Sequence, residues 1–200
     1  MTRAPGPIAP RLRIGLLGGS FNPAHEGHRY ISLLALRRLR LDAVWWLVSP
    51  QNPLKAETGM AALGERLAQA RRIAHHPRIA VSAIEAELGT NYTIDTVRAL
   101  KRRFPTLRFV WLMGGDNLIG FTRWKNWQRL ARELPIAVIA RPGAAREARA
   151  SRAAAHLRRF AIPAEYAATL AMHAPPAWVF LEERLHRASS TAIRASGVWP

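Results

Sequence analysis

His25 and His28 stand three residues apart in "LLGGSFNPAHEGHRY", residues 16–30. Before them an apolar run passes straight into Gly18, Gly19, Ser20, Phe21 and an Asn-Pro pair. A glycine turn between strand and helix brings backbone N–H groups close to an anion, most often phosphate. Two histidines at i and i+3 in a first helical turn lie on the same side of it, where the helix start already favours negative charge. Gly27, between them, leaves room for a large ligand to approach. The stretch lacks the Lys-Ser/Thr ending of a P-loop, and its glycines do not fall as G-x-G-x-x-G. Two histidines without a nearby cysteine or third ligand make a poor zinc site, and no G-x-S-x-G elbow activates Ser20. Phosphate handling is the chemistry that fits.

A second glycine turn, "LRFVWLMGGD" at 107–116, repeats the plan of an apolar run followed by glycines and a polar residue. There Gly114 and Gly115 clear space for a nucleotide, so Asp116 reads as a ribose or metal-water contact rather than a helix cap. Trp45, Trp46, Trp111 and Trp178 lie in apolar runs and read as core. Trp124 follows polar residues after a glycine, where an indole can stack on a planar ring, and Trp127 reads as packing. His75, His76, His156, His173 and His186 read as surface or satisfied core residues.

These candidates need elements to hold them. Apolar runs at 11–18, 42–49, 78–84, 107–116, 134–143 and 177–183 read as strands. Helical spacing appears at 26–39, at 60–76 (Leu63, Leu67, Ala70 and Ile73 on one stripe, stopped by Pro77) and at 93–104, with Thr93 as its cap. Strands alternating with helices predict an α/β fold: a doubly wound, mostly parallel, Rossmann-like sheet with helices on both faces. Ligands bind such sheets beyond the strands' carboxyl ends, and the loops at 18–25, 49–58, 114–117 and 188–194 mostly share that edge. The Ala/Arg-rich stretch 143–174 reads as a surface helix followed by an irregular connection. A single domain over 1–200 is expected, with residues 1–10 flexible.

Composition agrees. Hydrophobic residues make up 49% and charged residues 22% of the 200, a soluble globular profile. No apolar run approaches the ~20 residues that cross a bilayer. The absence of cysteine removes disulfides and thiolate metal sites and suits a reducing cytoplasm. The net charge of +17 suits a polyanion or a small phosphorylated substrate equally. The bases are spread along the chain, and all but Lys55, Lys101 and Lys125 are arginine.

"GGSFNPAHEGH" resembles the signature of the nucleotidylyltransferase superfamily, with its H-x-G-H element at His25–His28. A second signature, S-S-T-x-x-R, appears at Ser189, Ser190, Thr191 and Arg194. The segments "NYTIDTVRALKRRFP", "MGGDNL" and "FTRWKNW" are similar to those of the bacterial nicotinate-mononucleotide adenylyltransferases, and the resemblance runs from about Leu12 to Arg194. It implies transfer of an adenylyl group from ATP to nicotinate mononucleotide, in NAD biosynthesis. It further implies that His28 donates to the α-phosphate and His25 holds a neighbouring oxygen. Gly18, Gly19, Ser20 and Phe21 would cradle phosphate. Arg194, with Ser190 and Thr191 at a short helix start, would grip the outer phosphates, and Lys55 would neutralise phosphate from the substrate loop. Gly114, Asp116 and Asn117 would meet ribose; Tyr92, Thr93 and Trp124 would meet the pyridine ring. Mg²⁺ would ride on the triphosphate rather than in a protein cage.

The sequence departs from the family pattern at three places. Many relatives carry Asp where Asn22 stands and Ile where Ala188 stands, and the loop reads "QNPLK" without the more usual Pro-His. A sister reading, adenylylation of nicotinamide mononucleotide, stays open. An RNA-binding reading of the positive charge is disfavoured, because the chain lacks an RNA-binding aromatic signature.

Overall fold

A computed structural model describes residues 4–50, 59–140, 142–183, 190–197 and 199. Lys55, Ser189, Ala188 and His186 lie outside the described residues. The chain opens with β1 (Arg13–Gly19), α1 (Glu26–Arg38), β2 (Ala43–Val48), α2 (Leu63–Ala74), β3 (Ile79–Ser82), α3 (Ile84–Glu87) and α4 (Thr93–Arg103). It continues through β4 (Arg108–Gly114), α5 (Gly115–Gly120), α6 (Trp127–Glu133), β5 (Ile136–Ala140), α7 (Pro142–Arg149) and α8 (Arg152–Leu157). Then come β6 (Ala161–Ile162), β7 (Trp178–Glu182) and α9 (Ser190–Ala195).

The strands form one parallel sheet in the order β3-β2-β1-β4-β5-β7-β6. Successive side chains alternate between faces, so a strand buried on both sides is apolar throughout. Trp45 faces one apolar cluster with Ile94, Val97, Leu100 and Leu130. Trp46 faces the other, with Leu34, Ala35, Ala70 and Leu170. Helices therefore cover both faces, as the alternation of elements predicts. Trp45, Trp46, Trp111 and Trp178 are all buried, each contributing roughly 1.5–3 kcal/mol of burial or more. No helix among the described residues is long and apolar enough to cross a membrane.

The sequence reading differs from the structure in two places. Thr93 is not the cap of α4: Tyr92 holds that position, with no side-chain cap bond, and Thr93 is the first helical residue. The stretch 143–174 carries more structure than a surface helix and an irregular connection. Helix α8 is capped by Ser151, whose hydroxyl accepts the Ala154 N–H at 3.2 Å, and β6 pairs with β7 at the sheet edge. Ala145, Ala148, Ala153, Ala154, Ala167 and Leu170 are buried. Alanine lets these short turns lie close to the sheet, but it gives no contrast against arginine that would mark an apolar face. A two-residue strand is too short to show alternation.

Candidate active site

Strands β1 and β4 are neighbours, with Leu16 opposite Trp111. From β1 the chain goes to β2 on one side; from β4 it goes to β5 on the other. Chain direction reverses between them, which opens a crevice at their carboxyl ends. The two glycine turns flank that crevice because the sheet order puts them there.

The glycines have different causes. A Cβ on Gly18 would come within 2.6 Å of the Trp111 indole, so this glycine admits the neighbouring strand's tryptophan. A Cβ on Gly19 would meet only the Phe21 ring, at an ordinary 3.6 Å. Phe21 itself sits at φ 48°, a left-handed backbone costing a bulky residue about 1 kcal/mol or more. Burial compensates: the ring stacks on Trp46 at 5.1 Å and 18° and lies 4.8 Å from the His28 ring.

The two histidines build their own helix start. His25 is the residue capping α1, and its Nδ1 accepts the Gly27 N–H at 3.1 Å. The Nδ1 of His28 accepts the His25 N–H at 3.2 Å. A ring nitrogen that accepts carries no proton, so each neutral imidazole holds its proton on Nε2, as a donor. The ring centroids are 3.9 Å apart, and both side chains are half-buried while Gly27 is buried. Trp46 backs the pair: its indole N–H donates to Ser32 Oγ at 2.7 Å, and the Ser32 hydroxyl donates to the His28 carbonyl at 2.9 Å.

Across the crevice, Gly114 precedes α5 as its cap residue, with no side chain to make a cap bond. Asp116 lies in the first turn, exposed, with Oδ1 over Gly114 where a Cβ would come within 2.4 Å. Asn117 is exposed beside it. Asp116 is thus not the cap of α5.

The family model described as cytidylyltransferase-like matches residues 16–196. A protein of Parvibaculum lavamentivorans named "Probable nicotinate-nucleotide adenylyltransferase" is 53% identical over 96% of this chain and 96% of its own. One of the same name from Cereibacter sphaeroides is 55% identical over 93% of this chain and 98% of its own. The chain belongs to the nicotinate-nucleotide adenylyltransferase family. Its fold is also that of a solved Plasmodium falciparum nicotinic acid mononucleotide adenylyltransferase complexed with NaAD (TM-score 0.70, 16% identity, covering 92% of this chain and 83% of that one).

For a member of the nicotinate-nucleotide adenylyltransferase family, the other predicted residues fall as follows. Ser190 and Arg194 reach the turn after β1: the Ser190 hydroxyl donates to the Pro23 carbonyl at 2.9 Å, and the Arg194 guanidinium donates to the Asn22 carbonyl. Thr191 is exposed on the same short helix. Tyr92 is exposed at the start of α4, with the Lys125 ammonium 4.1 Å from its ring centroid. Trp124 is half-buried, held edge-on by Trp111 at 6.1 Å and Phe121 at 5.4 Å. Trp127 packs on Phe121 and His156.

Arg66 and Glu85 escaped the sequence reading, and Asn22 entered it only as a departure from the family pattern. Arg66, in α2, is 1% exposed. It donates to the carbonyls of Ser20 and Ser49 at 2.7 Å each, Ala61 at 2.9 Å and Pro50 at 3.0 Å. Its position on the stripe of Leu63, Leu67 and Ala70 was the available signal. Asn22 joins distant segments: its Nδ2 donates to the Gly59 carbonyl at 2.8 Å, while Oδ1 accepts from the Trp199 indole at 2.8 Å and the Ala61 N–H at 3.2 Å. Glu85, in α3, is buried and accepts from the Thr96 hydroxyl at 3.1 Å. Burial pushes its carboxyl up to about 7, against the opposing pull of that hydrogen bond.

Proposed function

We infer that this chain transfers the adenylyl group of ATP to nicotinate mononucleotide, releasing pyrophosphate and forming nicotinate adenine dinucleotide, in NAD biosynthesis. On this reading residues 1–200 act as one nucleotidylyltransferase domain in the cytoplasm. The observation that carries it is the pair of imidazole donors at the sheet's switch point, in a chain that shares over half its residues with named family members.

The attacking group is the mononucleotide phosphate, ionised at neutral pH, so no general base is needed. Its oxygen forms a bond to the α-phosphorus while the bond from that phosphorus to the bridging oxygen breaks, and pyrophosphate leaves with the electron pair. What remains to be supplied is in-line placement and stabilisation of charge. The Nε2–H of His28 donates to the α-phosphate as its charge grows, and that of His25 donates to an adjacent phosphate oxygen. Backbone N–H groups of Gly19, Ser20 and Phe21, following Gly18, complete the cradle. Arg194, Ser190 and Thr191 serve the β- and γ-phosphates, and Lys55 serves phosphate from its own loop. Gly114, Asp116 and Asn117 serve ribose; Tyr92, Thr93 and Trp124 serve the pyridine.

Nucleotidyltransfer from ATP calls for a divalent cation, here Mg²⁺, which neutralises triphosphate charge. Among the described residues no group of three or more His, Cys, Asp or Glu gathers to hold one. Such a cation would be held chiefly by phosphate oxygens and water, and Asp116 is the residue that would hold one of its waters.

The test is pyrophosphate release from ATP with nicotinate mononucleotide and, separately, with nicotinamide mononucleotide. Release with the first and a lower kcat/KM with the second is expected. Preference for the amide would move the substrate to the sister reading, and no release with either would remove adenylyl transfer itself.

A further inference from the structure

Arg66 contacts no residue of the pair that carries the chemistry, yet it fixes the turn in front of it. Its guanidinium lies between β2, α2 and the turn after β1, and donates to four backbone carbonyls from three separate stretches of chain. No carboxylate among the described residues pairs with it. Burying an arginine for carbonyls alone is costly, and burial pulls its pKa down. A structure that accepts this cost holds those carbonyls in one direction.

That direction has a consequence at Ser20. Among the described residues the cis peptides are Asn22–Pro23 and Pro175–Pro176, so the Ser20–Phe21 peptide is trans. In a planar trans peptide the C=O and the next N–H point opposite ways. With the Ser20 carbonyl held 2.7 Å from Arg66 Nη1, the Phe21 N–H points away from the guanidinium. The left-handed φ of Phe21 then becomes the backbone cost of keeping this peptide plane while the ring stays on Trp46.

We propose that Arg66 is a positioning residue that orients the Phe21 N–H toward the phosphates of bound ATP by fixing the Ser20 carbonyl on the opposite side. The proposal rests on the adenylyl-transfer reading. Arg66 acts here through the backbone, with a guanidinium that reaches carbonyls at four separate places; a lysine ammonium, with three donors at one point, cannot reproduce that fork.

The experiment is titration of ATP into the whole chain without the mononucleotide, which permits no transfer. Calorimetry reads affinity, and the ¹⁵N–¹H resonance of the Phe21 amide reads the contact. In the wild type the Phe21 amide shifts on ATP addition. In Arg66→Lys, shown to be folded by its thermal melt, ATP binds roughly tenfold to a hundredfold more weakly, and the Phe21 shift shrinks. A folded Arg66→Lys with wild-type ATP affinity overturns the proposal. A wild-type Phe21 amide that ignores ATP overturns it too, whether or not the variant folds. Pyrophosphate release by the wild type separates the cases: normal release with an unchanged variant sinks only the role of Arg66, whereas no ATP binding by the wild type sinks the reading beneath it.

Discussion

His28, in the first turn of α1, reaches back to the residue that caps it: its Nδ1 accepts the backbone N–H of His25, 3.2 Å away, while the two rings lie 3.9 Å apart. One nitrogen of each ring is committed to local structure, and the opposite nitrogen is the one that carries a proton. On the proposed reading, folding and chemistry use different atoms of the same residue, and substitutions can separate them.

In His28→Asn the amide oxygen can still take the His25 N–H, but nothing stands in for Nε2. We expect its kcat to fall ~10²–10³-fold, as for loss of one preorganised donor, with little change in Tm. His28→Ala should lose the same activity and about 1 kcal/mol of stability with the cap. Thermal melts beside single-turnover assays check both, and near-normal turnover in either variant removes the role of His28.

Glu85 predicts a pH signature. Its folded pKa of about 7 lies above the ordinary 4.5, so the folded state holds this proton more tightly than the unfolded chain. The stabilisation is complete below about 4.5 and is lost as pH rises through about 7, by roughly 3 kcal/mol at most. Glu85→Gln keeps an acceptor for Thr96 without a charge. It should melt like the wild type at pH 4 and higher than the wild type at pH 8. Parallel curves at both pH values would contradict the buried carboxyl.

Asn22 uses its amide as donor and acceptor together. Asn22→Asp keeps the acceptor for Trp199 and Ala61 but turns a second oxygen toward the Gly59 carbonyl. A cost of about 1–3 kcal/mol is expected from the lost donor, read as a lower Tm or denaturant midpoint. Trp199→Phe, which removes the indole N–H together with part of the ring but leaves the Asn22 amide whole, should cost less, about 1 kcal/mol.

On the proposed reading, Trp124 presents an indole to the pyridine whichever substituent that ring carries. Trp124→Ala should therefore raise KM for nicotinate and nicotinamide mononucleotides by similar factors, leaving their ratio unchanged. The preference for nicotinate itself should come from N–H donors near Tyr92–Thr93 and 115–117. An amide leaves one donor unpaired, a penalty of roughly tenfold to a hundredfold in kcat/KM. A change in the ratio on removing Trp124 would assign discrimination to the indole.

Much of this is legible in the sequence. The strand runs are apolar on both faces because both faces are covered, so "AVWWLV" announced a buried parallel strand. The turns after β1 and β4 were legible because glycines and polar residues interrupt such runs. Arg66 was not: a single arginine in an otherwise apolar stripe looks like a surface residue until the carbonyls of Ser20 and Ser49 are seen around it. Nor was the reason for Gly18, since the Trp111 ring that requires it stands 93 residues away on a strand whose adjacency is set by the sheet order.

Arg194 and Trp199 meet Asn22 across 172 and 177 residues. On the ribosome, at ~5–20 residues per second, the turn bearing the histidines emerges roughly nine to thirty-five seconds ahead of these partners. During that interval the nascent chain can fold its first strands, yet the Asn22 carbonyl still awaits the guanidinium that ties it down. A chain released before Arg194 would carry both imidazoles without that closure.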